Sequence, residues 1–297
     1  MRAISSIVLS LSVALCLLPS CEKEAKDNDD PDTKTATLKV MSFNVRGATI
    51  KEETPERNWT ARKSGVRNMI EETRPDIIGM QEMTTVQRSD LKDLLPDYDL
   101  LEIPGTGTGK GGNTVIMYRK STIEKIKCRS YYLSPTPSIP SVNTWNGETQ
   151  YRTTIWGEFR IKDSGVSFIF ADTHMPLYST PAGNTARKNS AELNVSMMKE
   201  NSQENTPVFI VGDMNCQTAS SGLQPYYDWM SSARETAVTS DSGITYNGYG
   251  NGKTILDHIF YRNAIASEYR VVNSDGYGVK YISDHYPITA RFNILRQ

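Results

Sequence analysis

Short polar motifs beside apolar, β-branched runs carry the carboxylates, amides and imidazoles of this sequence that could act together. In chain order, their residues are Asn44, Glu82, Asp172, His174, Asp213, Asn215, Asp257, Asp284 and His285. Carboxylate and amide oxygens are ligands that Mg²⁺ prefers, while imidazoles beside carboxylates hold and transfer protons. Each motif taken alone is typical of a turn, a helix cap or a solvated charge. Because each motif stands near the end of an apolar run, we expect these residues to converge on one cleft with a divalent cation.

The elements that would position these residues are strands alternating with helices. Strand patterns cover 38–43, 77–80, 114–118, 154–161, 166–171, 207–211, 255–261, 269–272 and 288–294, and helical patterns cover 59–72 and 186–200. Strands mixed with covering helices predict layered sheets in one α/β domain.

Two irregular segments, 105–113 and 134–150, interrupt the strand and helix patterns. Long loops inside compact domains are often functional, so the second segment is predicted to close a small-substrate pocket. Trp145 could stack on a base or sugar, as could the pair Tyr131-Tyr132, or these rings could simply pack in the core. Arg187-Lys188 is predicted to lie on a solvated helix face.

The composition suits a globular enzyme or binding protein better than a strongly basic nucleic-acid binder. The 297 residues are 38% hydrophobic and 23% charged, with a formal net charge of −1. Bulk charge therefore gives no support for avid nucleic-acid binding, although it leaves room for a local basic groove. Cys128 and Cys216 are predicted to be buried free thiols, with a single disulfide as the alternative.

The N-terminal segment has the features of a secretory signal. A basic start, Met1-Arg2, precedes an apolar stretch to Leu18 that is too short to span a bilayer comfortably, so residues 1–20 are predicted to be a signal peptide. Leu18-Pro19-Ser20-Cys21 resembles a bacterial lipobox, whose cysteine becomes diacylated, and an ordinary signal with a chance cysteine is the alternative. Charged residues follow, which predicts a flexible tether over 21–36 and a folded domain over 37–297. We expect an extracytoplasmic protein, anchored through Cys21 to a bacterial outer membrane and either periplasmic or surface-exposed.

The order of the polar motifs resembles that of a known enzyme superfamily. The motifs are Met41-Ser42-Phe43-Asn44-Val45-Arg46, Ile78-Gly79-Met80-Gln81-Glu82, Asp172-Thr173-His174, Val211-Gly212-Asp213-Met214-Asn215, Ile255-Leu256-Asp257-His258-Ile259 and Ser283-Asp284-His285-Tyr286-Pro287. From about Leu38 to the C-terminus the chain is similar to the endonuclease/exonuclease/phosphatase superfamily, which includes pancreatic-type deoxyribonuclease, sphingomyelinases and inositol-phosphate 5-phosphatases. The resemblance implies a DNase I-like fold, a four-layer α/β sandwich of two packed mixed β-sheets flanked by helices.

The resemblance also implies a role for each motif residue. Glu82, Asn44 and Asp284 would be the metal ligands, with Mg²⁺ as the cation and Mn²⁺ as the alternative. Asp213 would orient or deprotonate the attacking water. His285, with Asp257 as its carboxylate partner, would act as a base or as a charge stabiliser.

Three further residues would contact the phosphate group. Asn215 matches the family's phosphate-holding amide, and His174 matches a residue that donates to phosphate or stabilises the leaving oxygen. Arg152 is a candidate phosphate clamp because a guanidinium matches two phosphate oxygens, and a surface salt bridge is the alternative. His258 is expected to point away from Asp257 and to take no part in catalysis.

These implications predict a metal-dependent hydrolase of phosphate esters, either a phosphodiesterase or a phosphatase, working as a monomer. The substrate could be a nucleotide, a nucleic acid, a sugar phosphate or a lipid headgroup. An endonuclease or exonuclease acting on DNA or RNA is one alternative. A surface lipoprotein that binds a ligand without turnover is the alternative from another class.

Overall fold

The computed structural model describes residues 35–101, 114–147, 149–177, 180–273 and 277–295. Its strands are β1 (Thr35–Asn44), β2 (Ile77–Gln81), β3 (Tyr98–Leu101), β4 (Val115–Arg119), β5 (Ile123–Tyr132), β6 (Thr153–Ile161), β7 (Ser167–His174), β8 (Val208–Asp213), β9 (Ser231–Ser232), β10 (Thr239–Ser240), β11 (Asp257–Arg262), β12 (Ile265–Val271) and β13 (Ile288–Leu295). Its α-helices are α1 (Trp59–Thr73), α2 (Thr85–Leu94), α3 (Pro181–Asn201), α4 (Gln224–Tyr227) and α5 (Ala233–Thr236). The predicted signal peptide, almost all of the predicted tether and the segment 105–113 lie outside the described residues.

The described strands form two mixed sheets that pack face to face. One sheet has the order β10-β12-β13-β1-β2-β4-β3 and the other has the order β5-β6-β7-β8-β11-β9. One apolar cluster fills the space between the sheets, a second lies under α1, and a third lies under α3 and α4. The predicted four-layer α/β sandwich is therefore confirmed. Within the described ranges, no helix has the length and apolar character needed to cross a bilayer.

Alternation along the strands decides which residues face the space between the sheets. In β1, Leu38 and Val40 belong to the cluster between the sheets, whereas Met41 and Phe43 belong to the cluster under α1. Successive side chains of a strand point to opposite faces, so Asn44 shares the face of Leu38 and Val40. The same period places Asp172, His174, Asp213 and Asp257 on the inner faces of β7, β8 and β11.

Several polar motifs lie within the strands and not after them as the sequence had suggested. The strand predicted over 166–171 continues to His174, and the strand predicted over 207–211 continues to Asp213; Asp257 lies within its strand as predicted over 255–261, although β11 begins only there. Strands β7 and β8 extend farther than predicted because these polar side chains have partners inside the sandwich. A polar residue with a buried partner does not end a strand.

Several elements had no clear sequence pattern, and α2, β5 and β3 show why. Helix α2 buries little apolar surface, and its sequence signal is a capping box in which Thr84 and Gln87 satisfy each other's backbone groups. Strand β5 is an edge strand whose centre is largely exposed, so it lacks an apolar stripe. Strand β3 has only four residues.

A buried polar bridge joins the two sheets directly beneath the strand ends. The side-chain amide of Gln81 donates to Asp172 Oδ1 at 2.6 Å and to Ser42 Oγ at 3.2 Å. The sheets approach so closely here that a Cβ atom at Gly79 would lie 2.7 Å from Asp172 Oδ1 and 2.4 Å from Val211 Cγ2. Burial raises the pKa of Asp172 well above its ordinary value, although the hydrogen bonds that Gln81 and the Val115 N–H donate to this carboxyl oppose the increase.

A second buried network, centred on Asn194, fastens α3 to the six-stranded sheet. Asn194 Oδ1 accepts from Tyr131 Oη at 2.6 Å and from Thr154 Oγ1 at 2.7 Å. Asn194 Nδ2 donates to Thr173 Oγ1 at 3.1 Å and to Tyr226 Oη at 2.6 Å. Tyr131 is therefore a core residue, and Trp145 packs against the same core, so neither ring stacks in the cleft.

We expect Asn194→Leu to lower the free energy of unfolding by about 3 kcal/mol, because the buried hydroxyls around it lose partners that no water replaces. Urea denaturation followed by circular dichroism measures this loss. Glu192→Gln, on the exposed side of the same helix, should stay within about 0.5 kcal/mol of the parent protein. An Asn194→Leu protein as stable as the parent would show that the network contributes nothing net.

Candidate active site

The candidate site lies where parallel strands of both sheets end together. Strands β1 and β2 are parallel neighbours in one sheet, and β7 and β8 are parallel neighbours in the other. Their carboxyl ends bring Asn44, Glu82, His174 and Asp213 to one edge of the sandwich. Strand β11 runs antiparallel to β8 with Asp257 paired to Asp213, so its first residue reaches the same edge.

Asp213 is the centre of this cluster. Its Oδ2 accepts from Asn44 Nδ2 at 3.0 Å and lies 3.5 Å from His174 Nε2 and 3.7 Å from His285 Nε2. Its Oδ1 accepts from the backbone N–H of Asn215 at 3.0 Å. Several contacts therefore fix the position of the carboxylate. A group that acts on a reacting atom needs such a defined geometry.

His285 is held by a carboxylate on its far side. Its Nδ1 lies 2.8 Å from Asp257 Oδ2, which leaves Nε2 directed toward Asp213. The Oγ of Ser283 donates to the Asn44 carbonyl at 2.7 Å and accepts from the His285 backbone N–H at 3.2 Å. The segment that carries His285 is thus tied to the end of β1.

Burial and neighbouring charges separate the protonation states of these groups. Burial alone lowers the pKa of His285, but the charges of Asp257 and Asp213 outweigh it and raise that pKa to about 10. Burial raises the pKa of Asp213 to about 7, while the charge of His285 opposes the increase. Burial, with the charges of Arg152 and His285, lowers the pKa of His174 well below its ordinary value. At neutral pH the site therefore combines an imidazolium, a neutral imidazole and a carboxyl near its titration point.

The predicted metal residues form a group of hard oxygen donors at the same edge. Glu82 accepts from Asn44 Nδ2 at 3.1 Å through Oε1 and from the Gly47 N–H at 3.0 Å through Oε2. Burial raises the pKa of Asp284, and the nearby negative charge of Glu82 raises it further, although His285 and Arg46 oppose this. Two carboxylates that repel each other fit a small divalent cation such as Mg²⁺.

A second set of groups could also hold a metal by distance alone. Among the described residues, possible ligand atoms of Asp213, Asp257 and His285 lie within 4.8 Å of one another. The imidazole is directed to Asp257 through Nδ1, and its raised pKa keeps both ring nitrogens protonated at neutral pH. An imidazolium has no lone pair for a metal. This protonation disfavours the second set and agrees with the prediction that Glu82, Asn44 and Asp284 would hold the cation.

Backbone strain at two site residues redirects their side chains. Gln81 lies on the inner face of β2, so the next residue of a regular strand would point toward α1. Glu82 instead has φ of 63°, in the left-handed region, and its side chain faces the cleft. Asn215 has φ of 49°. Residues held in this region commonly mark functional sites.

Arginines and amides line the cleft, whose volume is about 570 Å³. Arg152 and His174 lie on its wall, and Asn215 donates to the Met175 carbonyl at 2.9 Å through Nδ2. An amide nitrogen carries two hydrogens, so this bond uses one of them. None of the described residues of 134–150 lines the cleft, so the prediction that this segment closes the pocket was wrong.

Arg187 was predicted to be solvated, and that prediction was also wrong. Arg187 is 4% exposed, lines the cleft and donates to the Pro176 carbonyl at 3.0 Å. It precedes Ala191 and Asn194 by four and seven positions, so it lies on the face of α3 that packs on the sheet. Lys188 is exposed as expected.

The remaining predictions concern residues near the site. The His258 ring lies 2.7 Å from the Cys216 carbonyl through Nε2 and stacks near Phe260, on the opposite face of β11 from Asp257. Among the described residues, Cys216 is a buried free thiol and Cys128 a half-buried one. Arg46, which no role was predicted for, lines the cleft and contacts Asp284. The feature of the sequence that could have pointed to Arg46 is its position two residues after Asn44.

This fold and edge cluster define a class of enzymes that act on phosphate. A model of the endonuclease/exonuclease/phosphatase family matches residues 41–285. The chain therefore belongs to the endonuclease/exonuclease/phosphatase family, whose members are hydrolases of phosphate esters.

Individual relatives agree with this membership. A solved endonuclease/exonuclease/phosphatase family protein from Bacteroides thetaiotaomicron is 25% identical with a TM-score of 0.78, covering 88% of this chain and 96% of that one. A mannosyl-6-phosphatase of Bacteroides thetaiotaomicron VPI-5482 is 26% identical with a TM-score of 0.76, covering 86% of this chain and 99% of that one. Two proteins of Acanthamoeba polyphaga mimivirus are each 26% identical, over 47% and 74% of this chain. The chain covers 54% and 36% of their lengths.

Proposed function

We propose that this protein is an extracytoplasmic phosphatase that hydrolyses a phosphate ester of a small molecule with Mg²⁺, or Mn²⁺ in its place. The arrangement around Asp213 is the observation that carries the proposal. One carboxylate of raised pKa contacts an amide of one sheet and lies beside two histidines of opposite protonation state. Such a pairing of an acid with a base is typical of hydrolytic sites.

The residues of the cleft have separable roles in this reaction. Asp213 orients the attacking water and accepts its proton, because its carboxyl titrates near neutral pH. His285 remains protonated against Asp257 and stabilises the negative charge that develops on the phosphate. The cation supplies charge neutralisation of a phosphate oxygen when it is bound at Glu82, Asn44 and Asp284.

Other residues that line the cleft bind the substrate. Arg152 presents a guanidinium to the non-reacting phosphate oxygens, and neutral His174 donates a ring N–H to the phosphate or the leaving oxygen. The second N–H of the Asn215 amide is a further donor. Together these groups bind the phosphate and fix its orientation before attack.

The kind of substrate is supported by similarity and by the cleft. A pocket of about 570 Å³ suits a small molecule. The similar mannosyl-6-phosphatase, matched over nearly its whole length, makes sugar phosphates the leading class. We further propose that the chain is a monomer attached to the outer membrane through Cys21.

Phosphate release from mannose 6-phosphate and p-nitrophenyl phosphate should require added Mg²⁺ or Mn²⁺ and stop with EDTA, because the carboxylates of the site repel each other without a counter-charge. The measurement is a colorimetric phosphate assay on the purified protein. Glu82→Gln should abolish release, whereas Glu192→Gln on the surface of α3 should not. Bis-p-nitrophenyl phosphate, DNA, RNA and sphingomyelin complete the panel.

Each outcome assigns a different function. Turnover of nucleic acid in preference to small esters would identify a nuclease and overturn the phosphatase proposal. Binding of phosphate esters with no turnover of any substrate would favour the ligand-binding lipoprotein. Turnover that survives EDTA would contradict the cation requirement.

A further inference from the structure

Arg46 is held rigidly at the rim of the cleft. It follows β1 with φ of 58°, and its backbone N–H donates to Asn44 Oδ1 at 3.0 Å. Its carbonyl accepts from Arg62 Nη2 and from Gln87 Nε2, both at 2.9 Å. A left-handed residue fixed at its N–H and at its carbonyl has little freedom to swing away, so its side chain starts from a defined place.

Two carboxylates hold the Arg46 guanidinium. Nε donates to Glu52 Oε1 at 2.9 Å, and Nη1 lies 3.3 Å from Asp284 Oδ2. The Glu52 and Asp284 side chains are only 6% and 7% exposed, whereas Arg46 is 27% exposed. Arg46 therefore lies between Glu52, which has no role in the proposed reaction, and Asp284, a carboxylate of the cation site.

The position of Arg46 affects the electrostatic potential at the cation site. The carboxylates of these ion pairs are nearly inaccessible to water, so a positive charge on a ligand carboxylate competes with a cation for the same oxygens. Glu52 has the opposite effect, since its negative charge offsets the guanidinium. Neither residue needs to touch substrate for this competition to act.

We propose that Arg46 and Glu52 form a partly buried charge pair that sets the affinity of the site for its divalent cation, with Arg46 weakening cation binding and Glu52 restoring it. Arg46 acts here as a positioning residue through Asp284. The inference rests on the proposed function, because it takes Glu82, Asn44 and Asp284 as the cation ligands.

The test is the dissociation constant of Mg²⁺, measured by calorimetry on the EDTA-treated, dialysed protein, with Mn²⁺ binding followed by electron paramagnetic resonance. Arg46→Gln should bind the cation about tenfold more tightly, and Glu52→Gln about tenfold more weakly, as expected for a unit charge roughly 6 Å from a divalent ion at a water-like dielectric constant near 80. The double variant should return toward the parent value. Opposite signs are the signature, since loosening of the structure would weaken binding in both variants.

Two control variants keep the result interpretable. Arg46→Lys retains the charge and should bind the cation within about threefold of the parent. Arg67→Gln removes an equal charge from an exposed residue of α1 that pairs with Glu71 and does not line the cleft, so it should leave the dissociation constant unchanged. Thermal melting with and without Mg²⁺ confirms that each variant folds and reports the same affinity order.

Weaker cation binding in Arg46→Gln would overturn the proposal, because the ion pair would then organise Asp284 and not compete for it. Equal affinities in all variants would overturn it as well. Failure of the proposed function would give a different result, since the parent protein would then bind cations without hydrolysing any ester, or would bind no cation.

Discussion

His285→Ala is expected to lower kcat about a thousandfold, the usual scale for removing a group that transfers a proton or stabilises charge in the transition state. The reason is the geometry of the ring, which lies between Asp257 Oδ2 at 2.8 Å and Asp213 Oδ2 at 3.7 Å. Without the imidazolium, two buried carboxylates face each other with no positive charge between them. Steady-state kinetics with p-nitrophenyl phosphate at saturating Mg²⁺ measures the loss.

The matched control is another buried histidine, His258, which follows Asp257 in β11. His258→Gln keeps a donor for the Cys216 carbonyl and lies on the opposite face of β11. It should lower the melting temperature but leave kcat within about fivefold of the parent, because it supports packing and a single buried hydrogen bond. Equal loss of kcat in both variants would mean that the His285 effect is structural.

Asp213→Asn is expected to lower kcat/KM by about a thousandfold and to change its dependence on pH. In the parent protein, burial raises the pKa of Asp213 to about 7, and the carboxyl must lose its proton before it can accept one from water. The charges of Asp257 and Asp213 hold the pKa of His285 at about 10 against burial, and this ring must keep its proton. Activity should therefore rise with pH through about 7 and fall through about 10.

Variants assign the two limbs of this pH profile. Asp213→Asn should lose the rising limb, because an amide does not titrate. Asp257→Asn should move the falling limb to lower pH, because it removes the largest influence that raises the pKa of His285. A profile that does not rise between pH 5 and 9 would contradict the assignment to Asp213, and one that does not fall between pH 9 and 11 would contradict the assignment to His285. The limbs are properties of a coupled group, so each variant is expected to shift the other limb slightly.

The positions of the site residues along the chain could be predicted because strand alternation and local polarity are local signals. Leu38, Val40 and Asn44 share a face by the period of two, and this period holds whichever strands are neighbours. The order of the six motifs was enough to predict the family and the four-layer sandwich. The N-terminal signal and the lipid anchor at Cys21 remain predictions.

The errors arose where chemistry and periodicity gave opposite indications. Arg187 falls on the buried stripe of α3 by spacing, but an arginine there looked solvated because charged residues are rarely buried without partners. Its partners include the Pro176 carbonyl, eleven positions away on a loop that follows β7, and the side chain of Asn184. Strand β5 was missed for the opposite reason, since an edge strand in contact with solvent carries no continuous apolar pattern.

The sequence by itself determined which residue types stand at the ends of which strands, because side-chain alternation and turn chemistry depend only on neighbours in the chain. Only the tertiary structure decided that Asp257 pairs with Asp213, that Glu82 turns into the cleft and that Arg46 lies between Glu52 and Asp284. Those contacts depend on strand register, on a left-handed backbone at one residue and on the approach of distant loops. Distances of this kind are set by packing between elements far apart in the chain, for which local patterns carry no signal.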